Sequence, residues 1–213
     1  MKETSKAMIR RRKDAEFPWD RIFMGNGIDV GPDGDPLDVP GVICFDKESK
    51  PAANLRIGDA NFLSKYFAPE VFDFLHASQC LEHMHVPELT LFDWLKVVKP
   101  GGYLVFTVPD YELYEGVLPP GATAWRSRWN WDHKSTWSLT LRDAPTPHHV
   151  YVPDLLQWVE RVDGVTVLRS KLIDTNYDRA VGTQRDQTFA FESMVEAWIE
   201  VVLQKNIYRF DER

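Results

Sequence analysis

Short apolar runs recur through the first half of the chain, at Ile28–Val30, Val42–Phe45, Leu55–Ile57, Val71–Ala77 and Tyr103–Val108, and the first three close on an acid or a glycine. Runs this short, bounded by Gly, Pro and Asp, read as strands buried on both faces, because a helix needs more length. Before the last of them, Pro87 stands where a first helical turn tolerates proline. Leu89, Phe92, Leu95 and Val98 then recur at helical spacing until Pro100-Gly101-Gly102 ends the helix. The pattern predicts an earlier helix over Ala15–Met24, stopped by Gly25-Asn26-Gly27. Toward the other end it predicts a helix over Pro153–Val162, a turn at Asp163-Gly164 and strands at Val165–Ile173 and Glu196–Leu203. Such alternation implies an α/β fold with a largely parallel, doubly wound sheet joined by right-handed crossovers.

Composition sets the scale of this fold. At 213 residues, 44% of them apolar and 13% aromatic, the chain can bury a full core. The expectation is one domain over 1–213, with an N-terminal extension over 1–26 and an insertion over 110–150, where no period is visible. A formal charge of -7 argues against a standing nucleic-acid binder, since such proteins carry a basic face. The run Arg10-Arg11-Arg12-Lys13 reads as the solvated face of a short helix. No apolar h-region follows it, so it is not a secretory signal, and no apolar run approaches the ~20 residues that span a bilayer. Cys44 and Cys80 make neither a disulfide framework nor a cysteine zinc site, and a reducing cytoplasmic location is expected.

The strand ends carry the candidate chemistry. Gly27-Ile28-Asp29-Val30-Gly31-Pro32-Asp33-Gly34 is followed at strand-length intervals by Asp46, Asp59, Ser78-Gln79-Cys80-Leu81-Glu82-His83 and Lys99-Pro100-Gly101-Gly102. An acid and glycines closing one strand, and an acid closing the next, are what an α/β sheet needs to hold a nucleoside at its carboxyl edge. The segments Phe72–His83 and Leu95–Pro109 resemble the fourth-strand, helix and fifth-strand signature of class I S-adenosylmethionine-dependent methyltransferases. That resemblance implies a Rossmann-like seven-stranded sheet in the order 3-2-1-4-5-7-6 with strand seven antiparallel, and S-adenosyl-L-methionine as cofactor.

Gly31 and Gly34 would let the backbone pass close under such a ligand, and Asp29 is suited to attract the ammonium of its methionine part. Asp46 can accept hydrogen bonds from adjacent ribose hydroxyls. The resemblance places the family's ribose-binding acid there and its adenine-contacting acid at Asp59, with Ala60 offering a backbone N–H and Ser78 completing the cofactor set. Capping of a helix is the other reading of Asp59. The ten residues from Gly31 to Val42 contain Pro32, Pro36 and Pro40, so a loop replaces the usual crossover helix. This shortening resembles methyltransferases associated with polysaccharide biosynthesis.

The acceptor side is read from the insertion. Trp125, Trp129, Trp131 and Trp137 alternate with charged residues, and His148-His149 follows. Aromatic faces stack on sugars or other planar substrates, which makes Trp129, Trp131, His148 and His149 the candidate acceptor contacts. A lid packed on the sheet or a homo-oligomer contact is the competing reading. Methyl transfer to a hydroxyl needs a base, for which His133 and His83 are the candidates. Glu82-His83-Met84-His85 offers two good metal ligands where catalytic sites use three, so no metal is expected. The function expected is methyl transfer to a small-molecule or carbohydrate hydroxyl, with no nucleic-acid partner. RNA or protein methylation, or a non-catalytic cofactor-binding subunit, are the alternatives.

Overall fold

The computed structural model describes residues 3–48, 54–110, 113–114, 133–139, 150–152, 159, 161–180 and 194–207. The strands of its main sheet are β1 (Gly27–Val30), β2 (Ile43–Asp46), β3 (Leu55–Ile57), β4 (Phe72–Ser78), β5 (Val98–Pro109), β8 (Val165–Ile173) and β9 (Trp198–Lys205). They run in the spatial order β3-β2-β1-β4-β5-β9-β8. The first five are parallel, and β9 runs antiparallel to β5 and β8. Counted within this sheet alone, that is the expected 3-2-1-4-5-7-6 order. Two short strands from the predicted insertion, β6 (Ser135–Trp137) and β7 (Val150–Val152), pair parallel to each other, and Trp137 bridges to Asp110 at the end of β5.

Side chains alternate across the sheet, so each strand serves two cores. Ile28, Val30, Leu75, Leu104 and Phe106 join the cluster that also contains Trp94 and Leu95 of α3 (Pro87–Val97). Phe74, Tyr103, Val105 and Val202 face the other way, into a cluster with Met8, Phe17, Ile22 and Phe23 from the N-terminal segment. The buried stripe of α3 is Leu91, Trp94 and Leu95, whereas Leu89 and Phe92 point outward. The spacing therefore located the helix correctly but chose the wrong face for two of its apolar residues. The helix expected over Pro153–Val162 lies mostly outside the described residues.

The N-terminal segment departs most from expectation. Instead of one helix over Ala15–Met24 there is α1 (Glu3–Lys13), a break, and a single turn α2 (Trp19–Ile22). Pro18 explains the break, since its ring disfavours helical geometry at Phe17 and it brings no N–H to the turn. Residues 31–42 hold neither helix nor strand, as three prolines require, and α1 lies over this loop. Ser5 binds the carboxylate of Asp35, the Met8 sulfur accepts from the Asp38 N–H, and Arg12 reaches the Asp38 carbonyl. These positions recur every three or four residues and so share one helical face. An N-terminal helix thus covers the loop that a crossover helix would otherwise replace.

The basic run is a solvated face in half only: Arg12 and Lys13 are exposed, whereas Arg10 and Arg11 turn inward. Arg11 is fully buried, and Arg10 and Arg11 both donate to the buried Glu200 carboxylate of β9 at 2.6 Å. Arg10 also pairs with Glu196, and Arg169 of β8 joins Glu200 to Asp14. Burial alone would raise the Glu200 carboxyl, but the Arg11 and Arg10 guanidiniums hold it down at about 2.

Candidate functional site

Parallel strands leave their carboxyl ends along one edge, and that edge opens into a cleft of about 740 Å³. This is within the roughly 300–1,000 Å³ of small-ligand pockets. Gly31 follows β1 with φ +70°, its N–H bonded to the Phe45 carbonyl at 2.8 Å. A Cβ added there would sit 2.6 Å from the Cys80 sulfur, so both the dihedral and the close approach call for glycine. Asp46 closes β2 with its carboxylate on the cleft. Its two oxygens accept from the Glu48 and Asp33 N–H groups, each at 3.2 Å, which fixes the direction of the group.

Asp59, after β3, also lines the cleft and caps the 3-10 turn Ala60–Lys65. It accepts from the Asn61 side-chain amide at 2.7 Å and from the Asn61 backbone at 2.9 Å, and these bonds hold its carboxyl below the ordinary range. The capping reading of Asp59 is therefore seen directly, at a position that still faces the cleft. Ala60 lies beside it on the same wall. Asn61, Gln79, Met84 and His85 complete much of the lining and had not been singled out. Their signal was present in the sequence only as neighbours of the strand-end acids.

Three of the expected cofactor residues sit elsewhere. Asp29 is buried under the loop and does not line the cleft; its oxygens take the Leu37 N–H at 2.7 Å and His76 Nδ1 at 2.7 Å. His76 Nε2 lies 3.0 Å from Arg11 Nη1, which can only donate, so Nε2 accepts and Nδ1 carries the proton given to Asp29. A carboxylate engaged this way supports the loop. Ser78 is buried against Thr107 at 3.1 Å, off the cleft lining. Gly34 turns the loop at φ +73°, also off the lining.

A further stretch of the cleft wall comes from the 3-10 turn Leu81–His83, shortly after β4. The Lys134 N–H donates to the Glu82 carbonyl at 2.6 Å, which pins residues 133–134 against this turn. As a result the His83 and His133 rings lie 4.7 Å apart, nearly perpendicular, with the Tyr114 ring stacked at 6.0 Å from His133. His83 and Lys134 line the cleft, while Glu82 and His133 are buried behind it. Donor atoms of Glu82, His83 and His133 all lie within 4.8 Å of one another. The argument that only two ligands exist here fails, because the fold supplies His133 as a third.

Trp125, Trp129, Trp131, His148 and His149 lie outside the described residues. Trp137 is fully buried in the core with β6. Cys44 and Cys80 are free thiols; burial, then Asp29 and Asp46, pushes Cys44 up to about 11, and burial raises Cys80 as well, so neither is an activated nucleophile. Among the described residues no helix is long and apolar enough to cross a membrane.

Comparison with known proteins agrees with this geometry. A family model described as a methyltransferase domain matches residues 8–163. A methyltransferase from Mesorhizobium loti, S-adenosylmethionine-dependent, superposes with a TM-score of 0.52 at 14% identity, covering 92% of this chain and 100% of its own. A structure from Listeria monocytogenes of the same described class gives 0.54 at 10% identity, covering 96% and 100%. The 4+2 cyclase SpnF gives 0.53 at 14% identity, covering 89% and 78%. No curated protein sequence matches significantly. The chain belongs to the methyltransferase-domain family. It is a class I methyltransferase, an enzyme whose cofactor is S-adenosyl-L-methionine. The cleft fits that cofactor: Asp46 presents a carboxylate of fixed direction to it, as a ribose diol requires, and Gly31 lines the same wall.

Proposed function

We propose that the protein transfers the methyl group of S-adenosyl-L-methionine to a hydroxyl of a small-molecule or carbohydrate acceptor. The observation that carries this reading is that His83, on the wall of the same cleft as Asp46 and Asp59, meets the buried His133 ring at 4.7 Å. The cofactor supplies an electrophilic methyl carbon, and the protein's task is to align the acceptor and take charge of its proton. Asp46, Asp59, Ala60 and Gly31 hold the cofactor; His83 and His133 act on the acceptor hydroxyl. Trp129, Trp131, His148 and His149 form the acceptor wall. The short proline-rich loop after Gly31 supports kinship with polysaccharide-type enzymes, as does the net charge of -7, which disfavours a polyanionic acceptor. The burial of Arg10 and Arg11 against Glu200 removes two of the four basic residues that favoured RNA. The protein acts in this reading as one domain in the cytoplasm, where buried thiols stay reduced.

The test is turnover of purified protein against pools of hydroxylated small molecules and sugars, with the product identified by mass spectrometry. Trp129→Ala, Trp131→Ala and His133→Ala are expected to lower transfer with little change in cofactor affinity, provided their melting temperatures match the parent's. Full activity in all three would move the acceptor elsewhere. Tight cofactor binding without turnover on any pool would favour a non-catalytic subunit.

A further inference from the structure

We propose that Glu82, His83 and His133 form a binding site for a divalent transition-metal ion. The three residues offer one carboxylate and two imidazoles, with donor atoms mutually within 4.8 Å. Zinc–nitrogen bonds of about 2.0–2.1 Å put tetrahedral ligands roughly 3.4 Å apart, so the donors need draw together by at most about 1.4 Å. Two backbone features hold the set in place. Glu82 and His83 are neighbours in one 3-10 turn, and the Lys134 N–H bonded to the Glu82 carbonyl fixes the approach of His133.

The chemistry of the set favours a cation. Glu82 is 1% exposed, and a carboxylate in a low-dielectric surrounding attracts a cation more strongly than one in water does. His83, with its side chain 33% exposed, opens the cluster to the cleft. Two imidazoles among three donors select a first-row transition ion over magnesium or calcium, which prefer oxygen ligands throughout. Three protein ligands also leave coordination positions over, as catalytic metal sites do. On the acceptor reading given above, His83 and His133 would then act on the acceptor hydroxyl through the ion and not as free bases: the ion would lower the hydroxyl's pKa, and its proton would pass to solvent water. The site itself does not depend on that reading.

The experiment is titration of the full-length chain, stripped with a chelator, using Co²⁺ followed by its visible d–d absorption and by calorimetry. Binding of one equivalent is expected, with a rise in melting temperature on addition of the metal. Glu82→Gln, His83→Ala and His133→Ala should each weaken binding by about tenfold or more, since losing even an outer partner of a ligand costs about that much. Absence of binding, or variants that bind Co²⁺ as the parent does, would overturn the site. If Glu82→Gln does not fold, the half-open His83→Ala variant carries the decision. None of these readouts involves cofactor or acceptor. Intact Co²⁺ binding in a protein that transfers no methyl group to hydroxyls would therefore sink the acceptor reading alone, and hydroxyl methylation without metal binding would sink the site alone.

Discussion

Under α1, the guanidiniums of Arg10, Arg11 and Arg169 close on Glu200, and their charge is spent inside the fold. Along the carboxyl edge of the same sheet, Asp46, Asp59, His83 and Lys134 instead border open space. Both regions are rich in ionisable groups, but those of the edge line a cleft, whereas the Glu200 carboxylate is buried and bonded to guanidiniums. The difference teaches that charge density alone does not mark a working site. What marks one is polar groups whose direction is fixed by the backbone while part of their bonding capacity faces a cavity, as at Asp46.

The contrast breaks first at Glu200. Replacing it with Gln would leave buried guanidiniums uncompensated, and a loss of about 3–5 kcal/mol is expected in chemical denaturation. The same carboxyl gives a pH signature. Because it is held at about 2, below its ordinary value of 4.5, its contribution is complete above the higher figure and is lost as pH falls toward the lower. Acid unfolding of the parent should therefore be steep in that window and flattened in Glu200→Gln. Along the edge the expected effects move from stability to binding. Asp46→Ala should weaken cofactor binding by about 1.5–3 kcal/mol in calorimetry, as loss of bonds to a charged acceptor does. Unchanged affinity would remove Asp46 from the site. The smallest effect is expected at Asp59, where Ala should cost about 1 kcal/mol of stability through the lost cap, measured by thermal melting.

Much of the carboxyl edge was legible because each strand there is a local event. The runs ending at Val30, Phe45, Ile57 and Ala77 carry their own apolar residues, the first three close on an acid or glycine of their own, and the observed strands fall within a residue of them. The arginine network was illegible for the opposite reason. Arg11 and Glu200 are 189 positions apart, and nothing near either announces the other. A basic run read alone looks solvated. Asp29 depends on a distant partner in the same way: its position at a strand end suggested a ligand contact, while its hydrogen-bond partner His76 comes from the neighbouring strand β4. His133 was chosen for its neighbours in sequence, but what places it beside His83 is one backbone bond from Lys134 to Glu82. The α3 stripe erred by a fraction of a turn, because leucine and phenylalanine repeat on both the buried and the exposed side.

The chain of bonds from Glu200 through Arg11, His76 and Asp29 to the Leu37 amide has a consequence for the order in which this molecule opens and closes. Joining α1 to β9 closes a very long stretch of chain, a step whose entropic cost is met only when non-local contacts form together. The loop over residues 31–42 has no helix or strand of its own, and its Leu37 N–H is held by Asp29 at the far end of that chain. Its protection is thus borrowed from the last contacts to assemble. In native-state hydrogen exchange, the Leu37 amide is expected to open in the same cooperative unit as the amides of β9, although more than 160 residues separate them in sequence. Exchange of Leu37 at the rate of an ordinary surface loop would show that the relay does not couple the two.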